Sequence, residues 1–289
     1  MMWLVPITLG IISGASHEIL QKRALNKISV LQYIGLRSVF MLVFLFGLLP
    51  LISLPSFGIE GILILFSGIC IAVGTIFFNK AVKHEELSTI QPLANIHPLM
   101  VTVLAFFLLD EVLSLTQAGG IFLLLVGTYV LHVHSVDKGF FEPFLAIYRN
   151  YYTKIAVIAL LFFSFAATSS RFVTTSGVDP ISYTVLSWIT SCFFLLVYVS
   201  YKQSFPSISG ITGETLGTIA LPAFLLVVMD LFFYYSVSIM SVGVVTALFR
   251  VSNLLATVEG GLMFHESNLL QKGVASAVMV AGAGLIVLF

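Results

Sequence analysis

Two stretches put ionisable side chains where their neighbours offer no water. In DLFFYYSVSIMSVGVVTALFR an acid, Asp230, and a base, Arg250, sit inside two of the most apolar segments of the chain. Counted from the turn between Ile239 and Gly243, Asp230 lies nine residues back and Arg250 seven residues on. Helical rise then puts them about 13 and 10 Å deep on adjacent antiparallel helices. Either charge costs about 2.5–3.5 kcal/mol at the centre of a membrane helix, so both are expected to face a cavity or each other. Arg250 can clamp a carboxylate or phosphate with paired donors, and Asp230 can take an amine or a proton. The plainer reading is a standing ion pair joining the two helices, and both readings can hold at once.

A second group is His17 and Glu18 near the end of the first apolar run, with Arg37 at comparable depth across the following loop. Glu18 and Arg37 can simply neutralise each other. Alternatively Glu18 or His17 exchanges a proton, His being the side chain whose ordinary pKa lies nearest neutrality. A lone membrane His is more often a hydrogen-bonded structural group. Polar residues at helical spacing extend the suspected lining: Gln91 with Asn95; Asp230 with Tyr234 and Ser238; Arg250 with Asn253 and Thr257; Ser164 with Thr168 and Arg171. Such stripes also join helices by hydrogen bonds. Pro92 and Pro98 would break the ladder of their helix, freeing carbonyls towards a cavity or making a packing kink. Tyr183 and Trp188 can stack on a ring-bearing solute, although Trp is also a common interface anchor.

What must position these residues is set by composition. Of 289 residues 59% are hydrophobic and 9% charged, against about 25% charged in an ordinary soluble domain. Apolar runs of about 20 residues, each able to cross a hydrocarbon core, recur from end to end. The expected fold is an all-α integral membrane protein with ten spans, near 3–22, 29–52, 58–80, 87–109, 114–133, 152–174, 180–200, 214–238, 243–264 and 268–289. No Lys or Arg precedes Met1 to Ser16 and no A-x-A site follows, so the first run reads as a retained helix rather than a signal peptide. Ser114 with Gln117, and Asn268 with Gln271, fit capping boxes opening spans five and ten. Cys70 and Cys192 read as apolar filler, with no metal-ligand spacing. Thirteen acids balance thirteen bases, giving no footprint for nucleic acid. No cofactor is expected.

The polar stretch from His134 to Lys154 divides the chain into a first five-helix repeat (1–134), a linker (135–151) and a second repeat (152–289). Sliding the halves by 155 residues aligns Glu111 with Glu266 and Gly127 with Gly282 without a gap. An odd number of spans per unit makes the two copies inverted, the architecture of secondary transporters with a site between the repeats near mid-membrane. The counterparts of Asp230 and Arg250 in the first copy are Thr75 and Asn95, so only one copy is charged. A site for an asymmetric solute need not be duplicated. The substrate-binding set expected from the sequence is therefore Arg250, Asp230, Asn95, Gln91, Arg37, Tyr234, Asn253, Thr75 and Trp188, with Glu18 and His17 for proton coupling. Glu111 and Glu266, beside capped turns, read as structural, and the small-residue run GVASAVMVAGAG as a close helix contact within the bundle or with a second chain.

DEVLSLTQAGGIFLLLVGTYVL and HESNLLQKGVASAVMVAGAGLIVL both resemble the repeat endings of EamA-type members of the drug/metabolite transporter superfamily. GASHEILQKRAL from Gly14, followed by Arg37, is similar to that family's opening. The resemblance spans the whole chain. It implies that helices one to four and six to nine line a central cavity, that five and ten are peripheral, and that both termini are cytoplasmic. The positive-inside rule points the other way, since ten of the thirteen bases fall at odd-numbered loops and one at an even loop. The function expected is a secondary transporter with alternating access, moving a small polar metabolite, an amino acid or related compound, by export through the plasma membrane. The alternative within the superfamily is a nucleotide-sugar or phosphate-ester exchanger; from another class, a non-transporting scaffold or sensor. No GxxxxGK[ST] loop, H-E-x-x-H helix or nucleophile elbow is present, so neither ATP hydrolysis nor catalysis is expected. The expected partners are a small-molecule solute and the lipid bilayer, with the chain as monomer or homodimer.

Overall fold

A computed structural model of the protein describes residues 4–55, 58–85, 93–94, 96–132, 149–202, 213–252 and 269–288. Within them ten α-helices follow one another and no strand occurs. They are α1 (Leu4–Lys27), α2 (Val30–Leu48), α3 (Ile59–His84), α4 (His97–Leu109) and α5 (Leu115–His132), then α6 (Tyr151–Thr175), α7 (Pro180–Tyr201), α8 (Gly213–Ile239), α9 (Val242–Phe249) and α10 (Leu269–Leu288). These fall on the ten expected spans, the fourth and ninth being described in part. By length and composition α2, α3, α6, α7 and α8 can each cross a bilayer, and α4, α5 and α10 are shorter apolar helices. The protein is an all-α, multi-pass integral membrane protein.

Local chemistry starts several of these helices. Ser29 and Gln32 close a capping box on α2, Asn150 caps α6, and Asp179 caps α7 with Pro180 at the first helical position, where its missing N–H costs nothing. The box expected on α5 is present, Gln117 N–H donating to Ser114 Oγ at 3.2 Å and Ser114 N–H to Gln117 Oε1 at 3.1 Å; Asn268 lies outside the described residues. Pro98 sits in the first turn of α4, just after the turn at Ile96 that separates this helix from the helical residues 93–94. Pro92 lies outside the described residues.

Large apolar side chains such as Val43, Phe46, Phe107 and Phe122 point outward, a surface suited to acyl chains and unsuited to water. The interior carries many hydroxyls instead. Ser38, Thr128, Ser164 and Thr246 each donate to the carbonyl four residues back, which meets their hydrogen-bonding need without water. Cys70 and Cys192 are buried free thiols.

The packing has a two-fold pattern. α1 packs on α8 as α6 packs on α3, and α2 meets α8 as α7 meets α3, while α2 with α7, α4 with α9 and α5 with α10 pair across the division. Exchanging the first five helices for the last five maps this pattern onto itself, as two inverted units require. α5 and α10 approach at glycines: a Cβ on Gly120 would lie 2.7 Å from the Gly282 carbonyl oxygen, and one on Gly282 would lie 2.8 Å from that of Gly120. The small residues of α10 thus serve contact within the chain. Most of the interval assigned to the linker lies outside the described residues.

Candidate functional site

Between the halves is a cavity of about 250 Å³, lined by residues of α1 to α4 and α6 to α9 and, among the described residues, by none from α5 or α10. Its wall carries four charged side chains, Glu18, Arg37, Asp230 and Arg250, together with His17 and His97. Much of the rest is apolar, including Ile71, Leu160, Phe163, Leu226 and Met229.

Asp230 and Arg250 share this wall without bonding to each other. The Trp188 indole Nε1–H donates to Asp230 Oδ2 at 2.6 Å, and both residues are buried. Arg250 Nη2 donates to His97 Nδ1 at 3.0 Å. Because a guanidinium has no acceptor, that nitrogen of His97 carries the lone pair and the ring is neutral. His97 Nε2 has no partner in full hydrogen-bond geometry among the described residues, the Phe163 backbone being its polar neighbour. Through space, Glu18 acts on Arg250 and Arg37 acts on Asp230. The side chains expected to form an ion pair joining helices eight and nine thus bond to neutral rings instead, Asp230 to Trp188 and Arg250 to His97. Depth along a helix is read from sequence count, but the direction a side chain faces around the axis depends on packing.

Arg37 is 3% exposed, with its guanidinium carbon 5.6 Å from the Tyr33 ring centre and 5.9 Å from that of Trp188. Trp188 is therefore an interior group and no interface anchor. His17 Nδ1 lies 2.9 Å from the Pro222 carbonyl oxygen; since a carbonyl only accepts, this nitrogen bears a proton, and in the neutral ring Nε2 carries the lone pair. Thr75 and Tyr234 also line the cavity. Tyr234 meets Tyr183 edge to face at 4.8 Å between ring centres, and the Tyr183 hydroxyl donates to the Ala166 carbonyl at 3.1 Å. Gln91, Asn95 and Asn253 lie outside the described residues, as do Thr257 and Glu266.

The polar stripe of helix six is a correction. Ser164 bonds its own backbone and Arg171 turns away, while Leu160, Phe163, Ala166 and Ala167 form that part of the cavity wall. Arg171 Nε donates to Glu111 Oε1 at 2.5 Å and its Nη1 to the Val237 carbonyl at 2.7 Å. Glu111 Oε2 also accepts from the Ser241 hydroxyl at 2.9 Å and from Val242 N–H at 3.3 Å. The carboxylate thus closes the N-terminus of α9 and ties the ends of α4, α6 and α8 together, as a structural role demands.

Gln21, Asn79 and His97 are among the lining residues that escaped the sequence reading. Gln21 Nε2 donates to Asn79 Oδ1 at 3.0 Å, and Asn79 Nδ2 to the Thr75 carbonyl at 2.8 Å. Gln21 lies four residues after His17 and Asn79 four after Thr75, so the helical spacing that drew the other stripes could have found both. His97, isolated beside Pro98, carries no such signal.

Residues 1–133 match the family model of the EamA-like transporter family. Twenty-nine chains of solved structures match. One of them, described as a crystal structure of a protein, superposes with a TM-score of 0.78 over 99% of this chain and 96% of its own at 14% identity; that likeness concerns the fold alone. No curated protein matches.

Proposed function

On the premise that residues 1–133 carry the match to the EamA-like transporter family, we propose that this chain is a secondary transporter of a small polar metabolite, working by alternating access between two five-helix units. The observation that carries the reading is the cavity itself: it lies between the halves, draws its wall from both, and holds two acids and two bases away from lipid. Intramembrane charges that border a cavity mark solute or ion pathways. A scaffold has no use for them there. The boundaries proposed for the units are 1–134 and 152–289, and an amino acid or related compound, exported across the plasma membrane by a monomer or homodimer, is the leading cargo reading. A cavity of about 250 Å³ is small beside common ligand pockets of about 300–1,000 Å³, which disfavours a nucleotide sugar.

Coupling to protons is assigned to Glu18 and His17. Both border the cavity, and the lone pair on His17 Nε2 leaves that nitrogen able to accept a proton. The experiment is solute flux into proteoliposomes with and without an imposed pH gradient. Wild-type protein is expected to carry solute faster with the gradient, and Glu18→Gln to lose that acceleration while solute exchange continues. Absence of flux for every amino acid and small metabolite offered would refute the transporter; unchanged gradient dependence in Glu18→Gln would refute the assignment to Glu18.

A further inference from the structure

Among the charged groups on the cavity wall, Asp230 and Arg250 each commit a side-chain atom to a strong hydrogen bond, and Glu18 works against Arg250. Arg37 differs. It is 3% exposed and borders the cavity, and neither its Nε nor its Nη2 has a hydrogen-bond partner among the described residues. The rings of Tyr33 and Trp188 stand at 5.6 and 5.9 Å from its guanidinium carbon. Aromatic faces answer its charge but leave N–H donors unused. Asp230 answers it only through space, its Oδ2 being held by Trp188. The Tyr33 hydroxyl lies near enough to feel the Arg37 charge, yet it too is buried without a partner in full hydrogen-bond geometry among the described residues.

Buried donors left unmet in a folded protein call for an explanation. Nε and Nη2 share one edge of the guanidinium, and that edge presents two parallel donors at the spacing of two carboxylate oxygens. Resting on the transporter reading, we propose that Arg37 docks a carboxylate group of the cargo and that Arg250, fixed by His97, is a structural cation. Docking turns the guanidinium towards the cavity it already borders and exchanges unused donors for two charge-assisted hydrogen bonds. A carboxylate suits the wall better than a phosphate dianion, because two bases facing two acids leave the wall without net charge and each added negative charge raises the cost. Leu160, Phe163, Leu226 and Met229 offer an apolar stretch of wall to the hydrocarbon part of that cargo.

The test uses three probes on one carbon skeleton: 4-methylpentanoate carries the carboxylate alone, leucine both charges, and 3-methylbutylamine the ammonium alone. Thermal shift on the purified full chain is expected to show stabilisation by one or both carboxylates and none by the amine. Arg37→Gln should weaken that binding at least about ten-fold, since the two-donor contact has no replacement. Arg37→Lys, which keeps the charge and serves if the Gln variant does not fold, should weaken it by a comparable factor. Without ligand Arg37→Gln should melt at or above the wild-type temperature, because a buried cation without partners is removed, whereas Arg250→Gln should melt below it. A structural role for Arg37 would give the opposite sign. The proposal is overturned if neither carboxylate binds, if the amine binds as well as they do, if both Arg37 variants bind like wild type, or if ligand-free Arg37→Gln is clearly destabilised. Flux separates this from the wider reading: a chain that carries 3-methylbutylamine regardless of Arg37 is a transporter lacking this subsite.

Discussion

The cluster around Glu111 and the wall of the central cavity are built from the same residue types on opposite terms. At the end of α4, the two oxygens of Glu111 take three donors and Arg171 bonds both a carboxylate and a backbone carbonyl. In the cavity, Asp230 bonds to an indole and Arg250 to an imidazole, and Arg37 meets no acceptor through Nε or Nη2 among the described residues. The difference is informative because a direct ion pair in low dielectric satisfies both charges and leaves neither for a solute. A neutral partner leaves the charge uncompensated, and only where donors are also unmet among the described residues, as at Arg37, is the group open to a solute.

The comparison can be broken first at its structural end. Glu111→Ala removes the partner of a largely buried Arg171, the side chains being 16% and 20% exposed, and uncaps α9. By the scale of broken buried pairs the expected loss is about 3 kcal/mol, read as a fall in melting temperature in detergent. An unchanged melting temperature would mean that the paired cluster holds nothing together.

Next in size is His97→Leu. It leaves Arg250 without its neutral acceptor, and the expected loss is about 1–3 kcal/mol, the cost of an unmet buried donor. The double variant with Arg250→Met should lose less than the two single changes summed, since removing both partners leaves no orphan. Strict additivity in that cycle would show that the 3.0 Å contact carries no energy, and Arg250 would return to the set of candidate ligand groups.

How far the sequence went towards this picture differs between fold and site for a physical reason. The ten spans are legible because a run of about 20 apolar residues answers to the thickness of the bilayer alone, and Ser114 with Gln117 is legible because a capping box is closed within four residues. Asp230, Arg250, Arg37 and Glu18 were legible as residues, since charge in an apolar run is conspicuous at any facing. Their partners were not. Trp188 reaches Asp230 from another helix, and His97 reaches Arg250 across 153 positions; hydrophobic pattern cannot supply the rotation of helices that are apolar all round. Arg171 shows the same limit from the other side. Its spacing from Ser164 and Thr168 suggested the cavity, yet the end of α4 claims it.

The smallest effect sharpens the contrast by isolating a polar group with purely local work. Ser114 Oγ accepts from Gln117 N–H at the exposed start of α5, a helix that contributes no lining residue to the cavity among those described. Ser114→Ala removes one accepted bond from an end that water can still reach, so the expected loss is about 1 kcal/mol. Flux in proteoliposomes should be unchanged, because α5 packs against α10 at the periphery and no cavity charge depends on it. A clear fall in flux with so small a loss of stability would place α5 in the moving part of the transporter. In that case the division between groups that hold the bundle and groups that meet the cargo would no longer follow the cavity wall.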